Sequence, residues 1–492
     1  MRSKIFFLSY ITAILLVLIF ISDLLVFSSN GQYNPDLAVG ILNQNLIKNT
    51  FLNDGGFCAS QYSDWQGVGG LTYKEDTHAT VIDLWLGIPE GPWTPKIWDE
   101  SKQDSVSQGS TVSGTFFGYS FQRSGTDWGP NPDSRGKLFS GDLLLSDLFV
   151  VSSGGILSLL SNSKYELSWP ENIYGERYWP GAFAKDPVTG VNIPDKFRAD
   201  QEVIVSFTDK GYASNYYPFN YQLMDSVDNP VRGYEIDAKA VGSVLAFNDT
   251  YNDDFFVVDL KIINQSQWDY FDVFLGLRTG VNLYRDGLNE YRKYFDIIHF
   301  LNYIIEDDNY LYNFAYHYSQ INPYEPYSHM SFPGRPFNYF GIKLLETPKI
   351  GAKQLGLTGW HWLNEQGWWK PYLIDHPYRR GEIIQYKLMA GDTSGLTPQE
   401  QERFFYPKKG NIDPNFDSQI DERIIYPTFL MSSGPFKWDS GDTVKFSFAV
   451  VFGEDLEDLK TNCRVAQKMY DNNYRRMEAP YAPTVSAVAG DK

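Results

Sequence analysis

Between Tyr426 and Tyr474 the chain alternates apolar and polar residues more strictly than elsewhere, and this alternation sets the expected fold class. In TVKFSFAVVF, residues 443 to 452, Val444, Phe446, Phe448, Val450 and Phe452 take every second position, between Thr443, Lys445, Ser447 and Ala449. Successive side chains of a strand point to opposite faces, so the pattern predicts a strand with one face in a core. Upstream, Phe429, Leu430 and Met431 lead into GPFKWDSGD, whose Gly-Pro and Ser-Gly-Asp punctuation predicts a second strand and a short connection. Downstream, Asp455 suits a helix N-cap and Asp458 the positive end of the helix dipole. Leu456, Leu459, Cys463, Ala466 and Tyr470 then recur at spacings of three and four, which predicts a closing helix with one apolar stripe against the sheet.

The rest of the chain repeats the strand signal in shorter pieces. Aromatic content of 16%, with 41 Gly and 26 Pro, favours strands and turns over helices. The expected class is mainly β: antiparallel β-sandwich domains with a few short helices and a C-terminal helix packed on the sheet. TVIDLWLG (80–87) and EVIVSFTD (202–209) read as strands, whereas residues 133–155 fit either a helix or a strand pair. In FFVVDLKII, Phe256, Val258, Leu260 and Ile262 share a face. Asn264 to Gln267 then turn, and Phe271, Val273, Leu275 and Leu277 repeat the alternation, which predicts a hairpin. Residues 281–378, aromatic and broken by Pro and Gly, read as an insertion between core strands. Thr397-Pro398 reads as a helix start.

At 492 residues the chain exceeds what one core usually supports, so several domains are expected. The divisions read from composition are a signal peptide or signal anchor at 1–31, a β-rich domain at 32–232, and a sandwich domain with the aromatic insertion at 233–474. A linker at 475–492 enters a further module. Arg2, Lys4 and the apolar run from Ile5 to Ser22 predict export. As a helix that run spans about 27 Å at ~1.5 Å per residue, close to the ~30 Å hydrocarbon core, so contact with a membrane is expected only through this segment if it stays uncleaved. Cys58 and Cys463, the two cysteines, are compatible with a disulfide in an oxidising compartment or with two buried thiols. A net charge of -18 without a basic cluster argues against a nucleic-acid partner.

The blocks DLWLG (83–87), WPGAFAKDPVTGVNIPDKFRADQEVIVSFTD (179–209), NDDFFVVDLKIINQSQWDYFDVFLGL (252–277) and FLMSSGPFKWDSGDTVKFSFAVVFGEDLEDLK (429–460) occur in this order. Together they resemble the large secreted proteins of bacteria with type IX secretion. APTVSAVAGDK near the end resembles the first strand of a fibronectin type III module. The resemblance implies an extracellular or cell-surface location, and a chain that belongs to a longer product ending in that module and a sorting domain. It supplies no catalytic residues.

Two groups of residues have ligand chemistry. Trp360, Trp362, Trp368, Trp369 and Tyr372, with His361, offer rings that stack on the apolar faces of sugars, and Glu365, Asp375 and His376 lie near in sequence to bond hydroxyls. The same rings suit a packed core. Asp249, Asp253 and Asp254 in NDTYNDD carry oxygens that suit calcium, but they lack the DxDxDG order that supplies most of its ligands locally, and the acidic composition favours a solvated acidic loop. No GxSxG or HExxH motif is present, and no catalytic residue is assigned. The expectation is an exported, non-catalytic surface or extracellular protein acting in adhesion or polymer and carbohydrate binding. The alternative is a secreted glycan-active enzyme of the glycoside hydrolase kind.

Overall fold

A computed structural model describes residues 38–53, 55–59, 71–74, 76–99, 103–107, 109–114, 126–127, 129–130, 140–144, 158–186, 188–210, 234–284, 297–304, 312–321, 337–364, 381–396, 398, 401, 418–419 and 427–475. The principal strands are, in chain order, β1 (Asp76–Ile88), β2 (Gln201–Thr208), β3 (Ala238–Ala246), β4 (Phe255–Asn264), β5 (Tyr270–Tyr284), β6 (Phe314–Ile321), β7 (Tyr339–Glu346), β8 (Gly359–Asn364), β9 (Pro427–Trp438) and β10 (Thr443–Gly453). The helices are α1 (Gly381–Ala390) and α2 (Leu456–Asp471). The expected mainly β class, with antiparallel sheets, few helices and a C-terminal helix on a sheet, is the architecture found.

Two sheets pack face to face. The first has the central order β1-β5-β9-β8 and continues beyond β1 through Leu71–Tyr73, Ile47–Leu52 and Ala38–Leu42. The second has the order β2-β3-β4-β10-β7-β6. Between them lies one core. Leu84, Leu86, Leu275, Leu277, Phe429 and Met431 come from the first sheet, and Val203, Val258, Leu260, Phe446, Phe448 and Val450 from the second. Phe57 meets Phe448 edge to face at 5.5 Å within it. Each sheet is also covered outside. Leu388 and Met389 of α1 pack on Trp85, Phe274 and Leu430, and Leu459, Cys463, Ala466 and Met469 of α2 pack on Leu245, Val257, Ala449 and Val451. The result is a helix-sheet-sheet-helix stack.

The alternation in β10 places Phe446, Phe448, Val450 and Phe452 in the inter-sheet core, with Val444 packed at its margin. Ala449 and Val451, on the opposite face, are buried beneath α2, whose apolar stripe packs on the sheet as the spacing predicts. That helix begins as the sequence predicts, because the Asp455 side chain accepts the Asp458 N–H at 2.9 Å. Gly453 makes its approach feasible: a Cβ there would lie 2.3 Å from Leu459 N.

The hairpin expected after β4 is not formed, because β4 belongs to the second sheet and β5 to the first. The short connection expected after β9 is present and likewise leads from the first sheet to β10 in the second. Each connection arches over the end of the core. The two arches are joined where Asn264 N–H donates to Asp442 O and Gly441 N–H to Asn264 O, both at 2.9 Å. Alternation looks the same in an arch as in a hairpin, since both bury one face. Phe271, expected inward, lies at the arch and is 50% exposed, beneath Lys437.

The boundary expected at 232/233 does not separate two cores: β1 pairs along β5, and β2 along β3 from Gln201↔Ala246 to Thr208↔Lys239. The region 281–378 is not a mere insertion. Within it β6 and β7 are integral to the second sheet, and β8 pairs with β9 in the first. Cys58 lies in the inter-sheet core and Cys463 beneath α2, both as free buried thiols. Residues 1–31 and 476–492 lie outside the described residues, as does nearly all of 397–424. No helix among the described residues is long and apolar enough to cross a membrane.

Candidate functional site

Among the described residues, only half of the outer face of the second sheet is covered. α2 shelters the part nearest its own first turns, and the face beyond it carries a polar row in register. Ile204 of β2 stands opposite Ser243 of β3, Ser243 opposite Asp259 of β4, Asp259 opposite Ser447 of β10, and Ser447 beside Glu346 of β7. In an antiparallel sheet such neighbours present their side chains on the same face. The row is bonded from end to end. Ser447 Oγ donates to Asp259 Oδ1 at 2.8 Å and lies 3.4 Å from the Tyr470 hydroxyl, which donates to Glu346 Oε2.

Cations close both ends. Arg198 donates to Glu202 Oε1, to Ser243 Oγ at 2.8 Å and to Asp259 Oδ2 at 3.5 Å, with the Tyr474 ring 5.3 Å from its guanidinium carbon. Lys349 lies 2.7 Å from Glu346 Oε1 and Lys445 lies 3.5 Å from Oε2. Burial alone would raise the Glu346 carboxyl, but the donated bonds of Lys349 and Tyr470, with Lys445 beside them, hold it below the usual glutamate range. Burial likewise opposes the charge on Arg198, and Glu202 outweighs it, so the guanidinium is held above its ordinary value.

Two residues further along the same strands, Val241, Lys261 and Lys445 form the next row, with Lys239 and Ile263 beyond. Val241 and Ile263 are half-buried and Lys261 is exposed, so this part of the sheet is open. Along the β2 side the face is bordered by an aromatic excursion, residues 165–198. Trp169 and Trp179 lie 5.5 Å apart, and Phe197 packs on Trp179 at 5.2 Å and on Phe183 at 6.1 Å. Gly181 seats this cluster on the sheet: a Cβ there would lie 2.7 Å from both Ile204 Cδ1 and Trp179 Nε1. Arg177 fastens it by donating to the Leu167 and Trp169 carbonyls, each at 3.0 Å. Tyr174 and Tyr178 remain exposed. Ser243, Ser447 and Glu346 of the bonded row are buried, so the surface beyond α2 is presented by Lys239, Lys261, Thr443 and Lys445, beside the half-buried rings of Trp169 and Phe197.

Burial pushes both Cys58 and Cys463 up to about 12, so neither is a thiolate at neutral pH.

The residues expected from sequence fall elsewhere. Trp360 lies in β8 and is 5% exposed, part of the inter-sheet core, so this ring packs rather than faces solvent. Of the two readings given to the rings, the packed core holds for Trp360, because β8 pairs with β9 and turns it inward. His361, also buried, points to the opposite face. Trp362 lies in the same strand, opposite Phe429, with its side chain outside the described residues. Glu365, Trp368, Trp369, Tyr372, Asp375 and His376 lie outside the described residues.

In the acidic loop, Asp249 Oδ1 accepts the Tyr251 N–H at 3.3 Å and the Asn252 amide, so this carboxylate closes its own turn. Asp254 accepts the Tyr73 hydroxyl and, at 3.4 Å, the Asn462 amide. Asp253 is raised by burial and then by the adjacent Asp254. Among the described residues no three His, Cys, Asp or Glu side chains converge to hold a metal ion, so the calcium arrangement expected of Asp249, Asp253 and Asp254 is not assembled by these three carboxylates.

Sequence reasoning missed Arg198, Asp259, Lys261, Glu346, Lys445, Ser447 and Tyr470. Asp259, Lys261, Lys445 and Ser447 carried a signal: each interrupts an apolar strand at an outward position.

No family model matches the chain and no curated protein matches it. Among solved structures it is similar to a copper-containing benzylamine oxidase from Hansenula polymorpha, at 8% identity and a TM-score of 0.28, over 87% of this chain and 62% of that one. The chain thus spans less than two thirds of that protein's length, and a likeness this faint carries no argument about function.

Proposed function

We propose that this protein is an exported, non-catalytic binding protein of the extracellular space or cell surface, and that its ligand is a polysaccharide laid on the open half of the second sheet. The observation that supports this reading is the face beyond α2, where among the described residues Lys239, Lys261, Thr443 and Lys445 stand exposed or half-buried, with the half-buried Trp169 and Phe197 rings along its border. Export rests on Arg2, Lys4 and the run from Ile5 to Ser22.

The same face argues against glycoside hydrolysis. Asp259 and Glu346 stand two strands apart, about 10 Å at ~4.8 Å per strand, on one flat surface. Glycosidase carboxylates flank the scissile bond from opposite sides, and each of these two is already engaged by its own neighbours.

The test is affinity electrophoresis through gels containing neutral and acidic polysaccharides. A Thr443→Cys variant labelled with a polyethylene glycol maleimide blocks the face, while a labelled Glu457→Cys variant carries the same mass at the far end of α2. The reading expects retention of the parent and of labelled Glu457→Cys, and loss of retention for labelled Thr443→Cys. Equal retention of both labelled proteins, or retention of neither by any polysaccharide, contradicts it.

A further inference from the structure

The binding reading leaves the class of polysaccharide open, and the charge pattern of the face narrows it. The chain carries a net charge of -18, so an anionic polymer is repelled by most of its surface. The open half of the second sheet departs from that average. Lys239 of β3, Lys261 of β4, Lys445 of β10 and Lys349 just beyond β7 supply one ammonium group for each of four neighbouring strands.

Lys261 and Lys445 are directly opposed in the β4-β10 ladder. Directly opposed side chains have Cβ atoms about 4.5 to 5.5 Å apart, and like charges in that arrangement repel. Lys239 stands opposite Ile263, two residues along β4 from Lys261, within diagonal reach of the same spot. The acids nearby meet only the Lys349 and Lys445 members of this line. Asp259 is held by Arg198 and Ser447, and Glu346 is shared between Lys349, Lys445 and Tyr470. Among the described residues neither Lys239 nor Lys261 has an acidic partner.

We infer that the ligand is an anionic polysaccharide of the uronate kind, running across the strands so that its carboxylates sit between Lys261 and Lys445 and beside Lys239. This rests on the binding reading above and adds the charge of the ligand. A carboxylate placed between the two lysines converts a repulsive pair into two attractive contacts, and the half-buried Trp169 and Phe197 rings with the exposed Thr443 meet the sugar itself. Other polyanions offer charge without sugar rings for the aromatic border. A neutral glycan leaves the lysine opposition standing.

The experiment is isothermal titration with polygalacturonate at several salt concentrations. Parent and Lys261→Gln/Lys445→Gln double variant are compared, with dextran, polyglutamate and single-stranded DNA as comparison probes. The expected result is polygalacturonate binding that weakens with salt, since a bound polyelectrolyte releases counterions. The double variant should bind at least tenfold more weakly, with a shallower salt dependence, while melting no lower than the parent because an opposed like-charge pair is gone. Dextran, polyglutamate and DNA should bind far more weakly than polygalacturonate.

Dextran bound as tightly as polygalacturonate, with the double variant unimpaired, overturns the anionic assignment and leaves the polysaccharide reading standing. Preference for polyglutamate or DNA overturns the assignment in favour of another polyanion. Absence of binding to every probe overturns both readings. A double variant that melts lower is replaced by Lys261→Arg, which keeps the charge and should keep the affinity; loss of affinity in that variant also overturns the assignment.

Discussion

Lys261 of β4 lies directly opposite Lys445 of β10 on the open face of the second sheet, two residues beyond the Asp259-Ser447 hydrogen bond. Opposed like charges weaken a strand pair, and opposite charges strengthen it by about 0.2 to 1 kcal/mol. Lys261→Glu should therefore raise the stability of the ligand-free protein by an amount in that range, read from urea denaturation midpoints. A loss of stability would show that the two ammonium groups do not interact.

The inter-sheet core predicts a contrast between two phenylalanines. Phe448 is fully buried against Phe57, so Phe448→Ala should cost about 3 to 5 kcal/mol. Phe271 is half exposed at the arch after β4, so Phe271→Ala should change stability by no more than about 0.5 kcal/mol. Chemical denaturation of both variants checks the pair, and equal losses would contradict the arch.

Much of this core was legible in the sequence, for a physical reason. β4 and β10 each lay one face against the other sheet, and Phe256, Val258, Leu260 and Ile262 on one, with Phe446, Phe448 and Val450 on the other, keep period two on that face. β7 and β8 were not legible. β7 is covered on both sides, from Phe340 to Glu346, so no polar alternation survives, and Gly341 interrupts the apolar run where a Cβ would come within 2.4 Å of the Phe314 ring. The site was hidden differently. Asp259 and Ser447 both read as outward strand residues, but only the pairing of β4 with β10, 188 residues apart at that bond, brings them together.

On the outer face of the first sheet, Asp83 and Arg278 are cross-strand partners, buried, with Nε 3.2 Å from Oδ1 and the Trp85 indole N–H donating to Oδ2 at 3.2 Å. Removing one member of a buried pair leaves a charge poorly compensated, at about 3 to 5 kcal/mol. Arg278→Ala should lose that much. Asp83→Leu/Arg278→Leu should recover most of it, because two apolar side chains leave no charge behind. Thermal and urea unfolding of the two variants checks the order, and a double variant no better than the single would contradict it.

Lys343 is buried beneath α2 and donates to the Tyr312 carbonyl at 2.7 Å. Burial lowers its ammonium to about 8 from an ordinary 10.5. Between these values the unfolded chain holds a proton that the folded chain has released, so stability rises with pH through that window and is flat below it. Lys343→Met should remove this rise. Denaturation midpoints at pH 7, 8, 9 and 10 in parent and variant check it, and a parent whose stability falls from pH 8 to 10 relative to the variant would contradict the burial of the amine.

The central claim, that the open half of the second sheet is the binding face, is tested most directly by lysine acetylation read by mass spectrometry with and without polygalacturonate. The account predicts that Lys239, Lys261 and Lys445 are protected by the polymer while Lys74, paired with Glu454, and Lys460 of α2, paired with Glu457, are modified at unchanged rates. Equal rates at Lys261 and Lys445 with and without polymer, under conditions where the polymer is bound, would contradict it.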